Sequence, residues 1–218
     1  MDFCTITPTR DRPKMLSFCR KQLDAQTVQP KNRYFISYDA KDSQPDLIPR
    51  IKAGIELAQR DGIDIVYIIE DDDALSSTYL QVMHTNIDEN DFIGFSDTYY
   101  YSLKSKTWMH QFHGDRQNGG PRSSLFCTGF RISALKDFRW PPDHYLWLDI
   151  KIWEYARDTN KKVKLLEGNP CLGIKGHGEG SYAGKSHLKV FENIDKDFSF
   201  LEKRTEAYQL EFYKNWMK

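Results

Sequence analysis

A chain of 218 residues fits one large domain, or one domain with a small appendage. Lysine plus arginine equals aspartate plus glutamate at 31 each, so the total charge supplies no long-range pull towards nucleic acid or anionic membrane, although a local basic face could exist. Cys4, Cys19, Cys127 and Cys171 are scattered without a CxxC pair, MDFCTITPT lacks a basic and then apolar leader, and no run reaches the ~18 apolar residues of a bilayer span; the expectation is a soluble cytoplasmic protein without zinc knuckle or disulfide framework.

Asp2 to Thr7 reads as a short buried strand that PTRDRP breaks. Met15, Leu16, Phe18, Cys19 and Leu23 recur at helical spacing, so Pro13 opens a helix running to about Ala25. A second strand, Tyr34 to Tyr38, ends at Asp39. Ile48, Ile51, Ile55 and Leu57 then mark a helix over Leu47 to Arg60, which Gly62 stops. Ile63 to Ile69 is nearly all apolar and predicts a central strand buried on both faces. This alternation is a doubly wound α/β pattern, which binds ligands beyond the carboxyl ends of its strands. Three such ends are visible: residues 7–10, Asp39, and the acid run Glu70-Asp71-Asp72-Asp73.

Beyond it, Asp91 to Phe95 predicts a strand, and Thr98 to Phe112 strands or a hairpin. Residues 113–122 form a polar loop, and Ser124 to Ser133 a strand leading to a turn. Leu146 to Arg157 has helical spacing, Val163–Leu166 and Cys171–Ile174 read as short edge strands, and Asp197 to Lys218 reads as one amphipathic helix carrying Phe200, Leu201, Tyr208, Phe212 and Trp216.

Four adjacent carboxylates repel one another and need compensation. One of them could serve as a cap or dipole partner for a helix beginning near Ser76. Three or four exceed that need and suit an oxygen-ligand site for Mg²⁺ or Mn²⁺ that would also neutralise a bound diphosphate. An EF-hand does not fit, because the required Gly and distal Glu are missing.

Taken together, ITPTRDRP, the strand-final YIIEDDD, CTGFR, LWLDIKIW and GIKG…GKSH resemble the GT-A glycosyltransferases of the family-2-like kind, and among them the small soluble versions of bacteriophages and their hosts. The similarity spreads from Thr5 to His187. Arg10 stands where Gly is usual, Ala74 where an aromatic is frequent, and Lys185-Ser186 where more apolar residues occur; these departures bear on donor and acceptor identity. The resemblance implies a GT-A, Rossmann-like, doubly wound mixed sheet flanked by helices. Residues 1–190 would form the glycosyltransferase domain (1–97 for the nucleotide sugar, 98–190 for the acceptor), and 191–218 a C-terminal helical extension.

It also implies a metal-dependent, inverting transferase using a nucleoside diphosphate sugar, UDP-sugar favoured, with Mn²⁺ or Mg²⁺. Asp71 and Asp73 would form the metal-binding DxD element with the late ligand His187, His177 being the rival, while Asp71 or Asp72 would contact ribose or a metal-bound water. Thr7, Pro8, Thr9 and Arg10 would face the nucleoside, Arg10 or Arg12 the diphosphate, Asp39 a pyrimidine base, and Thr128-Gly129 the donor sugar. Asp149 would be the general base. Each has a plainer alternative: surface ion pairs for the arginines, a turn for Asp39, a helix-dipole acid for Asp149. Trp108, His110, Arg122 and Trp147, with Trp140, are acceptor-side candidates, and core packing is the alternative for the tryptophans. The acceptor would be a hydroxymethylated pyrimidine in phage DNA, met by Arg116, Arg122, Lys104 and Lys106 in a host cytoplasm, or else a cell-surface glycan or small molecule. A nucleotidyltransferase fits less well, since TPTRDRP lacks a Gly-rich basic loop. A binding module without catalysis is the non-enzyme alternative.

Overall fold

The computed structural model of the protein describes residues 1–37, 46–113, 120–178 and 193–217. The first half follows the predicted alternation: β1 (Phe3–Thr9), α1 (Pro13–Asp24), β2 (Asn32–Ser37), α2 (Leu47–Arg60) and β3 (Ile65–Ile68). Pro13 occupies the first turn of α1, where its missing N–H has no intrahelical partner to lose. There follow α3 (Tyr79–Ile87), β4 (Phe92–Phe95), β5 (Asp97–Ser102), β6 (Thr107–Phe112), β7 (Gly129–Arg131), α4 (Leu148–Asp158), β8 (Val163–Leu166), β9 (Leu172–Lys175), β10 (Asn193–Ile194), α5 (Ser199–Arg204) and α6 (Ala207–Trp216).

Six strands form the main sheet in the order β2-β1-β3-β7-β4-β8. β2, β1 and β3 run parallel, while β7 is antiparallel to both β3 and β4, so the sheet is mixed. β3 is buried throughout, as its composition predicts, and its alternation sorts the two layers. Val66 and Ile68 pack with Ile48, Ile51 and Ile55 of α2 and with Ile152 and Trp153 of α4. Ile65, Tyr67 and Ile69 pack on the opposite side with Cys19 and Leu23 of α1 and with Leu80, Met83 and Ile87 of α3. A period of two thus distributes one strand between two helical layers.

The predicted hairpin is β5–β6, and it carries a second sheet ordered β10-β6-β5-β9. The two sheets meet at the acid turn, where Ala74 and Leu172 exchange backbone hydrogen bonds of 2.9 Å in both directions. A third apolar cluster joins this junction to the C-terminal helices: Met15, Phe18, Ala74, Leu172, Leu201 and Tyr213 are buried together.

Two expectations need correction. The strand predicted over 124–133 is a 3₁₀ turn at Leu125–Cys127, three strand residues, and another 3₁₀ turn at Ile132–Leu135. Hydroxyls compete with the ladder there: Ser123 Oγ donates to Cys127 O at 3.0 Å and Thr128 Oγ1 to Ser124 O at 2.8 Å. The single helix predicted from Asp197 is two, because Thr205 turns extended and Glu206 starts α6 afresh through a capping box with Gln209. Among the described residues no helix is long and apolar enough to cross a membrane.

Candidate active site

The carboxyl end of β3 delivers the acids to the junction of the two sheets, and each carboxylate meets different neighbours. Asp71 accepts from Thr9 Oγ1 at 2.6 Å and from Arg12 at 2.9 Å. Arg12 also reaches Asp72 at 2.8 Å, and His177 Nε2 lies 2.9 Å from the same Asp72 oxygen. Asp73 accepts the Ile174 backbone N–H at 2.8 Å and stands 3.5 Å from Lys175 Nζ, which is 3.9 Å from Glu70. The loop that aims Arg12 at the acids turns on Asp11, whose φ of 50° lies in the left-handed region that Asp tolerates better than most residues.

Among the described residues the four carboxylates face two permanent cations, Arg12 and Lys175, which leaves a formal double negative charge, as much as one divalent cation neutralises. Burial pushes the Asp73 carboxyl well above the ordinary aspartate range; Lys175 opposes the rise, and Asp72 and Glu70 add to it. Glu70 and Asp71 are raised chiefly by burial too. For Asp72 burial works in the same direction, but Arg12, Lys175 and His177 outweigh it and hold the group below the usual range.

Ligand atoms of Glu70, Asp72 and Asp73 lie within 4.8 Å of one another. Two buried oxygens among them, Asp72 Oδ1 and Asp73 Oδ2, have no hydrogen-bond partner among the described residues. Buried acceptors without donors are costly, and an all-oxygen set of this kind suits Mg²⁺ or Mn²⁺. The residues present fit a divalent cation, with Lys175 beside it.

Next to the acids is a cleft of roughly 140 Å³ lined by Glu70, Lys175, His113, Arg122, Trp147 and Asp149 among others. Asp149 sits in the first turn of α4 and forms a close ion pair with Arg122. Burial raises its carboxyl, and Arg122 opposes the shift. His113 is pushed down to about 3 by burial, then by Arg122 and His110, so it faces the cleft neutral.

The sequence-predicted residues divide into groups. Thr9, Arg12, Asp71, Asp72 and Asp73 come together, and Arg122, Asp149 and Trp147 gather across the cleft. Arg10 pairs with Asp46 at 3.6 Å instead of with the acid turn. Thr7 and Pro8 are interior positions of β1. Thr128 is wholly buried, taking a bond from Trp153 Nε1 at 3.1 Å, and Gly129 is pressed against Tyr67, where a Cβ would fall 2.4 Å from the ring. Trp108 stacks on Phe200 at 4.1 Å, and His110 stacks on Tyr99 at 4.2 Å with Asp97 3.5 Å away. Trp140 packs edge-on against Phe138. Asp39, Arg116 and His187 lie outside the described residues.

Sequence reasoning missed Lys175 and Glu70 as partners, and it ranked His177 below His187. The signal for Lys175 was present: a lysine closing the otherwise apolar strand LGIK is unusual unless it has a buried carboxylate to meet.

No protein-family model and no curated protein sequence matches the chain. Its fold is similar to solved structures of S. aureus TarS. With TarS 1-349 in complex with UDP-GlcNAc it has 15% identity and a TM-score of 0.54, over 85% of this chain and 61% of that one. With another structure of TarS 1-349 the values are 13% and 0.55, over 81% and 61%. With a longer TarS chain they are 14% and 0.54, over 80% and 37%. The chain thus spans less than two thirds of those proteins. At such identities the likeness concerns the fold, a GT-A-like arrangement of mixed sheets and helices.

Proposed function

We propose that the chain is a glycosyltransferase that uses a divalent cation and a nucleoside diphosphate sugar, UDP-sugar favoured. The carrying observation is the surplus of carboxylate at the end of β3, three acids within 4.8 Å with two buried oxygens that lack a partner among the described residues, opening on a cleft that holds Asp149. The fold shared with a protein crystallised with UDP and with UDP-GlcNAc supports the donor class.

In this reading Asp72, Asp73 and Glu70 would hold the cation, with His187, outside the described residues, as a candidate further ligand. Asp71, engaged by Thr9 and Arg12, fixes the guanidinium beside the site. A cation held there, Mn²⁺ or Mg²⁺, would supply charge stabilisation to the departing diphosphate. Lys175 and Arg12 add positive charge on the same side, in a buried setting where it is weakly screened. Asp149, opposite them across the cleft, accepts the proton of the acceptor hydroxyl, and burial, which raises its carboxyl, makes it a stronger base than a solvated aspartate. Arg122 orients that carboxylate and must yield part of its contact as the hydroxyl arrives. Attack from the side opposite the diphosphate inverts the sugar. Trp147, exposed at the mouth, offers a face to the acceptor.

The test is UDP release from labelled UDP-sugars with Mn²⁺, with Mg²⁺ and with chelator, each offered hydroxymethylated DNA, unmodified DNA and a glycan. The expected result is cation-dependent transfer to one acceptor class, abolished in Asp149→Asn while UDP binding persists. Equal UDP release with chelator would overturn the cation; UDP binding without transfer to any acceptor would favour a binding module.

A further inference from the structure

Gln22 on α1 and Gln209 on α6 are the innermost polar residues behind the acid turn, 0% and 1% exposed. Gln22 Nε2 donates to the backbone carbonyl of Asp73 at 3.0 Å, and its Oε1 accepts the Leu75 N–H at 2.8 Å. Gln209 Nε2 donates both to that same Gln22 Oε1 at 2.6 Å and to Leu75 O at 2.7 Å. Its own Oε1 accepts the Glu206 N–H at 2.8 Å. The single amide oxygen and both donor hydrogens of Gln209 are engaged, so its amide has one workable orientation and so does that of Gln22. Two further ties come from the same helix: Glu206 accepts the Ser77 N–H at 2.7 Å, and Trp216 Nε1 donates to His177 O at 2.8 Å.

We infer that Gln22 and Gln209 form a buried amide clamp and that α6 is a positioning element of the acid site, setting where Asp73 and Leu75 sit and, through Trp216, where His177 stands. The inference rests on the cation reading above for its functional meaning, though the clamp itself is a statement about backbone. A small, hard cation tolerates little displacement of its oxygen ligands, so the backbone between Asp73 and Leu75 must be fixed from behind as well as from β9. Neither glutamine touches a candidate ligand side chain; both act through main chain.

Gln209→Glu discriminates, because it keeps the oxygen that caps α6 but turns the two donations into oxygen facing oxygen. Gln209→Met serves as the uncharged second variant. Phe212→Leu is the control: it weakens the stacking of α6 on Phe18, now 3.7 Å between ring centroids, and leaves the amides alone. Amide hydrogen exchange at Ala74 and Leu75 and Mn²⁺ titration are both read well below each variant's melting temperature. The clamp predicts at least 10-fold faster exchange at Leu75 in both Gln209 variants, a Mn²⁺ midpoint raised about 10-fold, and neither change in Phe212→Leu at a comparable loss of Tm. Unchanged exchange at Leu75 in both Gln209 variants, or an equal effect in Phe212→Leu, overturns the clamp. Faster exchange in a protein whose wild-type form binds no Mn²⁺ upholds the clamp and overturns the cation reading instead.

Discussion

The acid turn and the Asp149 pair lie on facing sides of one cleft and are compensated in opposite ways. Among the described residues, Asp149 sets one carboxylate against one guanidinium, that of Arg122. Counted over the described residues, the acid turn has four carboxylates, two permanent cations and two buried oxygens left over. A balanced pair suits a group that exchanges a proton, whereas a surplus suits a group that takes up a cation. Burial raises carboxyls on both sides, so the pKa direction alone would not separate them; the count of neighbours does.

Substitutions can break this contrast. Asp149→Asn is expected to have the largest effect, lowering turnover by about 10²–10⁴ as loss of a general base does, with no rescue by excess Mn²⁺ and UDP affinity unchanged; initial rates and calorimetric binding check it. Asp73→Asn should lower turnover by about 10²–10³ and shift the Mn²⁺ dependence upward, so that excess metal recovers part of the rate. Rescue of Asp149→Asn but not of Asp73→Asn would reverse the assignment.

Lys175→Met sharpens the comparison from the stability side. Removing one partner of a buried ion pair costs about 3–5 kcal/mol, and here it leaves Glu70 and Asp73 facing each other. Urea melts should record that loss without metal and a large recovery with Mn²⁺, since a ligand bound only by the folded state stabilises it. The same substitution at a self-balanced site would gain nothing from metal.

The smallest expected effect is a pH dependence carried by His113. Its folded pKa of about 3 lies below the ordinary 6.5, so the unfolded chain binds the extra proton in that window and stability falls as pH drops through it. At pH 5 the wild type should have lost about 2 kcal/mol more, relative to pH 7, than His113→Asn, because the acids contribute equally to both. Denaturant melts at the two pH values measure the difference.

The parallel half of the fold was legible because periods of two and 3.6 alternate cleanly from Phe3 to Ile68, with Pro13 and Gly62 as punctuation. The segment around β7 was not, since Ser123 and Thr128 use their hydroxyls on backbone carbonyls and shorten the strand. Within the site, the acids announced themselves by charge, and Asp149 by the resemblance of LWLDIKIW to the family's base-bearing motif. Glutamines give no such signal. Gln22 lies on the buried face of α1 and Gln209 on that of α6, and only the tertiary arrangement turns them towards the same two peptide groups. The break at Thr205 was readable in principle, because Glu206 and Gln209 have capping-box spacing, although Glu is an uncommon first member.

The Gln209–Gln22 hydrogen bond joins residues 187 positions apart, and His177 reaches Asp72 across 105. Contacts of such sequence separation form late, after the entropy of closing the intervening chain has been met. Until then the acid run is a knot of like charge that opposes the approach of its own strand ends. On that argument the acid turn is expected to reach its final arrangement late in folding. A divalent ion that binds only the finished site should slow unfolding and leave the folding rate nearly untouched.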